Sequence, residues 1–249
     1  MEDETVTPVE AIAERMPLHL QPFDVSAGSA GLVIVDEVNG FCTPGAGNLA
    51  PPSADARIEA MVTTTDRIAR QFVERRRPVL AFLDTHEPDR PEPPYPPHCI
   101  TGTGEENLVE ALAWLADEPD VTLIRKDCIN GFVGAIEQTF KSHGASHNKC
   151  VDWVNGHRLD SLVVVGICTD ICVMDFVLTM LSARNHALMP TLRDIAVLEP
   201  ACATYDLPPE TARTLGLPPT AAHPAAETHH MGLYFMASRG AILADRLTG

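Results

Sequence analysis

The feature of this sequence that most restricts its fold is a repeated pairing of a short, wholly apolar run with a longer amphipathic stretch. The runs are Leu32 to Val35, Val79 to Leu83, Val121 to Ile124 and Leu162 to Ile167, with a fifth expected near Ala187 to Leu192 and a sixth at Ala241 to Leu243. Runs that are apolar at consecutive positions bury both faces, as strands do in a parallel sheet covered by helices on either side. Between them, Ala54 to Arg76 spaces Ile58, Met61, Val62, Ile68, Phe72 and Val73 close to a helical period. It ends on Arg75, Arg76 and Arg77, which suit a helix C-terminus. Glu105 to Ala116, Val151 to Val154, Ile171 to Ala183 and Thr228 to Met236 read as further helices. The pattern predicts a three-layer α/β/α fold around a mostly parallel, Rossmann-like sheet of about six strands.

A chain of 249 residues suits one large domain, and its 45% hydrophobic content can fill a core. Residues 1–30 carry acidic residues and Pro8, Pro17 and Pro22, and read as an N-terminal extension on the surface, leaving 31–249 as a single domain. Eighteen Lys and Arg against 34 Asp and Glu give a net charge of −16, which repels phosphate backbones and anionic lipids, so neither nucleic acid nor membrane is an expected partner. The apolar runs are too short to span a bilayer. Seven irregularly spaced cysteines, with no leader before them, suggest reduced thiols and a cytoplasmic protein.

In open parallel sheets ligands sit at the carboxyl ends of the strands, so the polar residues that follow each run are the candidates for chemistry. The first run ends in Asp36, the second in Asp84, the third in Arg125 and Lys126, and the fourth enters Gly166-Ile167-Cys168-Thr169-Asp170-Ile171-Cys172. Asp36 could cap a turn, or its carboxylate could be buried against a partner. Lys126 stands at the same edge and is suited to that ion pair. Cys172 follows a glycine-bounded turn and opens an amphipathic helix, a setting that favours the thiolate. Cys150 and Cys202 read as structural. Cys168 and Cys172 could form half a zinc site, although no second pair has matching spacing.

Prolines 88, 91, 93, 94, 96 and 97 make Glu87 to Pro97 a stiff loop. Asp84 and His86 at the strand end, with His98 returning from that loop, could enclose a divalent metal, with Glu92 as a fourth ligand or a supporting carboxylate. Taken singly, His86 or His98 would read as a surface histidine. A second Pro-rich segment, Leu207 to Pro224, reads as a surface connection, and His143, His147, His157, His229 and His230 as solvated or capping residues.

Several separated blocks together resemble the isochorismatase-like hydrolase family, and within it the plant-type nicotinamidases. They are Gly31 to Asp36 with Val38 to Thr43, Tyr95 to Thr103, Arg125 to Phe132 and Gly166 to Val173. The resemblance implies a catalytic triad of Asp36, Lys126 and Cys172, and metal ligation by Asp84, His86 and His98 with Glu92 where relatives often carry another ligand. It implies a cis peptide between Ile167 and Cys168, an oxyanion hole from the amides of Cys168 and Cys172, and a substrate ring flanked by Phe41 and Tyr95. Many relatives have Trp at the position of Tyr95. The implied activity is hydrolysis of nicotinamide, with pyrazinamide as a further substrate, supported by Zn2+ or else Fe2+ or Mn2+, in a homo-oligomer. The rival within the family is an amidase for maleamate, carbamoyl or ureido compounds. A nicotinamide-cofactor oxidoreductase would need a glycine-rich turn where Asp36-Glu37-Val38-Asn39-Gly40 stands.

Overall fold

The computed structural model of the chain describes residues 7–90, 92–138 and 146–249. Pro91 and His143, noted above, lie outside them. Seven strands form one sheet: β1 (Leu20–Asp24), β2 (Ala30–Val35), β3 (Val79–Asp84), β4 (Val121–Lys126), β7 (Ser161–Ile167), β8 (Asp194–Ala203) and β9 (Ile242–Thr248). A small antiparallel pair, β5 (Ile136–Gln138) and β6 (Ser146–Asn148), lies apart from it. The helices are α1 (Pro8–Arg15), α2 (Asn39–Cys42), α3 (Ala56–Glu74), α4 (Gly131–Gly134), α5 (Lys149–Gly156), α6 (Met174–Asn185), α7 (Pro209–Thr214) and α8 (Ala225–Ser238). Among the described residues, no helix is long and apolar enough to cross a membrane.

Every pairing in the large sheet is parallel, and the strand order is β1-β9-β8-β7-β2-β3-β4. Alternate residues of the central strands feed two separate cores. Leu32, Ile34, Ala81, Leu83, Val163 and Val165 meet Ile58, Met61, Ile68 and Phe72 of α3 on one face. Val33, Val35, Leu80, Phe82, Leu162 and Val164 meet α5, α6 and α8 on the other, through Trp153, Val154, Phe176, Val177, Leu233 and Met236. These are the three layers anticipated from the unbroken apolar runs. Asp55 starts α3 by accepting the amide of Arg57 at 2.9 Å.

Three elements differ from the sequence reading. The fifth strand is not Ala187 to Leu192: that segment turns off the end of α6, with Ala187 at φ 63° and the Leu188 amide bonded to Ala183 O, and the strand begins at Asp194. Residues 20–24 of the expected extension form the edge strand β1, where only Phe23 is buried and the register shifts at Gln21/Pro22. An edge is where a sheet tolerates proline. The helix expected over Glu105 to Ala116 is a 3-10 helix confined to Glu110–Asp117.

From β2 the chain builds outward through β3 and β4, then returns to β7 on the other side of β2 and builds outward through β8 and β9. The switch point therefore lies between β2 and β7, and a crevice forms there at the strand ends. Asp36 follows one strand and Cys172 the other.

Candidate active site

Strand register places the first groups. Val35 is level with Phe82 of β3 and Gly166 of β7, and Asp84 is level with Lys126 of β4, so Asp36, Asp84 and Lys126 leave adjacent strands at nearly one height. Gly166 adopts φ 123°, and a Cβ there would lie 2.1 Å from Val35 O. Only glycine lets β7 run this close to β2.

Lys126 is the junction of the site. Its ammonium lies 2.8 Å from Asp36 Oδ2 and 2.8 Å from Asp84 Oδ1, and it donates to Cys128 O at 3.0 Å. Burial disfavours its charge, but the two carboxylates outweigh burial and hold it protonated well above the ordinary lysine range. Asp84 behaves in the opposite sense: burial would raise it, yet Lys126, His86 and His98 keep its carboxylate well below the ordinary range.

Asp36 is fully buried, with its backbone at φ 56°. The Lys126 ammonium 2.8 Å away neutralises its carboxylate. Burial pushes its carboxyl up to about 7, with Lys126 and the Cys172 thiol pulling the other way. It is a buried carboxyl whose affinity for a proton is raised, as a base beside a thiol requires. Glu37 turns away to accept from Thr65 Oγ1 at 2.7 Å, and burial pushes it up to about 8.

Cys172 lies in a turn of π-helix, Thr169–Val173, that runs directly into α6. The expectation that a helix start would favour its thiolate is not met: burial raises the thiol well above its ordinary value, with Lys126 opposing and Asp36 adding to the rise. At rest the group is a thiol, and it needs a base. The peptide between Ile167 and Cys168 is cis.

Asp84 also faces outward. Its Oδ2 lies 3.0 Å from His86 Nε2 and 3.1 Å from His98 Nε2, and all three side chains are buried. Backbone bonds from the His86 amide to Cys99 O (2.9 Å) and from the Thr101 amide to His86 O (2.9 Å) clamp the returning loop to the strand end. The Cys99 amide donates to Glu105 Oε2 at 2.9 Å, which fixes the turn after His98. His98 Nδ1 donates to Pro96 O at 2.8 Å, which turns Nε2 toward Asp84 and makes it the nitrogen that a cation would take in place of a proton. Two imidazole nitrogens and a carboxylate oxygen converging on one point are a donor set that zinc accepts and that ferrous iron and manganese tolerate. Glu92 Oε2 lies 3.7 Å and 3.6 Å from the two imidazoles, while its Oε1 accepts the Ile129 amide at 2.7 Å.

Above these groups is a mainly apolar pocket lined by Phe41, Leu49, Tyr95, Ile129, Ile167, Cys168, Ile171, Cys172 and Tyr205, with Asp84, Glu92 and His98 at its polar end. The rings of Phe41 and Tyr95 lie 5.7 Å and 6.1 Å from that of His98. Of the residues singled out from the sequence, Phe41, Asp84, Glu92, Tyr95, His98, Cys168 and Cys172 line this pocket, while Lys126 and His86 contact Asp84 from outside the lining and Asp36 contacts Lys126. Of the histidines set aside, His229 bonds Thr169 Oγ1, His230 bonds Met16 O and His147 faces Glu137. Tyr205, two residues past the end of β8, is not found from the sequence, because the fifth strand lies later in the chain than its apolar run suggests. His223, which bonds Asp170, is not found either, because no local pattern announces a contact 53 residues apart.

Comparison with known proteins agrees with this geometry. The chain is 52% identical over 220 residues to Nicotinamidase 1 of Arabidopsis thaliana, covering 88% of this chain and 87% of that relative. The fold matches the crystal structure of a nicotinamidase from Bacillus subtilis with a TM-score of 0.61 at 21% identity, covering 87% of this chain and 99% of the other. It also matches a pyrazinamidase of Pyrococcus horikoshii in complex with zinc, with a TM-score of 0.59 at 19% identity over 86% and 98% of the two chains. Residues 30–245 match the isochorismatase domain, and the chain belongs to that family.

Proposed function

We propose that this chain is a nicotinamidase, hydrolysing nicotinamide to nicotinate and ammonia through a thioester on Cys172. The observation that carries the reading is the buried Lys126 ammonium, which joins Asp36 beside Cys172 to Asp84 beside His86 and His98. One charge network thus links a nucleophile and its base to a candidate cation site, at the floor of an apolar pocket whose lining includes the rings of Phe41 and Tyr95. The identity to the Arabidopsis nicotinamidase supports the same substrate.

Asp36 takes the Sγ proton of Cys172, and Lys126 keeps the resulting charges compatible with burial. The thiolate attacks the carboxamide carbon, and the carbonyl oxygen becomes an oxyanion that accepts from the amides of Cys168 and Cys172. One such donor contributes about 2.7 to 4 kcal/mol to the transition state. Asp36 returns its proton to the amide nitrogen as the C–N bond breaks, and ammonia leaves. Asp36 then takes a proton from water, whose oxygen attacks the thioester carbon. The C–S bond breaks, Asp36 returns its proton to the Cys172 sulfur, and the acid product gives up its own proton to water or ammonia and departs as nicotinate.

Phe41 and Tyr95 flank the ring. Asp84, His86 and His98 would hold a divalent cation, zinc foremost and iron or manganese otherwise, with Glu92 as a fourth ligand or a supporting carboxylate. When bound, the cation supplies a Lewis-acid position for a pyridine nitrogen and so orients the ring. The reading extends to pyrazinamide as a substrate, a cytoplasmic location and a homo-oligomer. Ammonia release from nicotinamide, pyrazinamide, maleamate and N-carbamoyl amino acids, with metal analysis on the same sample, tests it. Turnover confined to the pyridine and pyrazine amides is expected, and preference for an acyclic amide would overturn it.

A further inference from the structure

We propose that Tyr205 is a third aromatic wall of the substrate pocket and that His223 is the positioning residue that sets its ring. Tyr205 lines the pocket beside Cys168, Ile171 and Cys172. The His223 imidazole stacks on it with ring centroids 4.0 Å apart and planes inclined by 15°. His223 is itself pinned at both nitrogens: Nδ1 lies 2.8 Å from Tyr205 O, and Nε2 lies 2.7 Å from Asp170 Oδ2.

A carbonyl and a carboxylate can only accept, so both ring nitrogens donate and the imidazole is a cation on the tyrosine face. The ionisation of Asp170 agrees with this: burial is the largest single influence and acts against its charge, but the hydrogen bond and charge of His223 together with the Thr204 hydrogen bond hold its carboxylate below the ordinary range. Asp170 Oδ1 accepts from Thr204 Oγ1 at 2.7 Å, so the carboxylate also ties down the residue before Tyr205. The Leu207 and His223 backbones exchange hydrogen bonds of 2.7 Å in each direction, closing the Pro-rich segment at its base and delivering His223 to this position. The segment that reads in sequence as a surface connection therefore has its root against the back of a pocket-lining ring. Asp170 is two residues before Cys172, so one histidine links the turn that presents the nucleophile to the ring that faces the substrate. A Cβ on Gly232 would lie 2.8 Å from Asp170 Cα, so α8 backs this turn closely.

The inference rests on the nicotinamidase reading, because a flat wall serves a flat substrate. The test is steady-state kinetics with nicotinamide for the wild-type holoenzyme and for Tyr205→Phe, Tyr205→Leu and His223→Gln, each checked by thermal unfolding. Tyr205→Phe keeps the ring and should stay within about twofold of wild type. Tyr205→Leu and His223→Gln should raise KM by about five- to tenfold, the range of one aromatic contact, with kcat changed by less than about threefold. Tyr205→Met replaces Tyr205→Leu if the latter does not fold. Unchanged KM in folded Tyr205→Leu (or Tyr205→Met) overturns the wall. Unchanged KM in His223→Gln, or a loss confined to kcat or to thermal stability, overturns the positioning role. Wild-type protein without nicotinamide turnover overturns the nicotinamidase reading and this wall's substrate with it, whereas an active wild type with unaffected variants overturns the inference alone.

Discussion

Replacing Lys126 with methionine keeps most of the side chain's length and apolar stem and removes its ammonium, with both the charge and the donor to Cys128 O. At 2.8 Å and an effective dielectric constant of about 20, each of its two carboxylate contacts is worth roughly 6 kcal/mol of attraction before the cost of burial is counted. Much of that offsets desolvation of three groups whose side chains are at most 2% exposed. What the substitution exposes is the penalty of leaving Asp36 and Asp84 buried without a counter-ion, about 3 to 5 kcal/mol. The protein has one local remedy, which is to protonate Asp36. Its carboxyl stands at about 7 with Lys126 pulling it down, so loss of the ammonium must move it higher. The penalty should then be largest near pH 8.5 and smaller near pH 6, where a proton replaces the ammonium. Urea unfolding of chelator-stripped Lys126→Met at both pH values measures this, free of a bound cation that could partner Asp84. On metal-loaded samples, kcat/KM at pH 7 should fall about 10²- to 10⁴-fold, the loss of a general base held neutral. A Lys126→Met protein within about 1 kcal/mol of wild type at pH 8.5, with kcat/KM intact, would refute the reasoning.

The same carboxyl sets the acid limb of activity. Asp36 must be ionised to take the thiol proton, so kcat/KM should fall about tenfold per pH unit below pH ~7, and a pH profile with nicotinamide checks the midpoint. Removing either imidazole leaves Asp84 Oδ2 with one nitrogen neighbour instead of two. His86→Ala and His98→Ala should therefore lose bound metal by elemental analysis and raise KM at least about tenfold, as expected when a positioning ion departs.

The central strands were legible because burial on both faces leaves no polar residue inside Leu32 to Val35, Val79 to Leu83 or Leu162 to Ile167. β8 was not, because Glu199 and Pro200 interrupt it and the register to β7 shifts between Val164 and Gly166. β1 was hidden because an edge strand with one buried residue carries no apolar run. Asp36, Asp84 and Lys126 could be found because each directly ends a recognisable strand. Tyr205 lies two residues past the end of β8, a strand whose apolar run the sequence does not show in its true place. The protonation state of Cys172 was beyond sequence, since it depends on burial and on charges delivered by three other strands. His223 depends on tertiary contacts with Asp170 and Tyr205 that no periodicity encodes.

The central claim is that Cys172 is the nucleophile of an amide hydrolysis. The most direct measurement is ammonia and nicotinate release from nicotinamide by wild-type protein and by Cys172→Ala of matched folding and metal content. The account predicts equal amounts of both products from wild type and none above background from Cys172→Ala. Near-normal turnover by Cys172→Ala would contradict it.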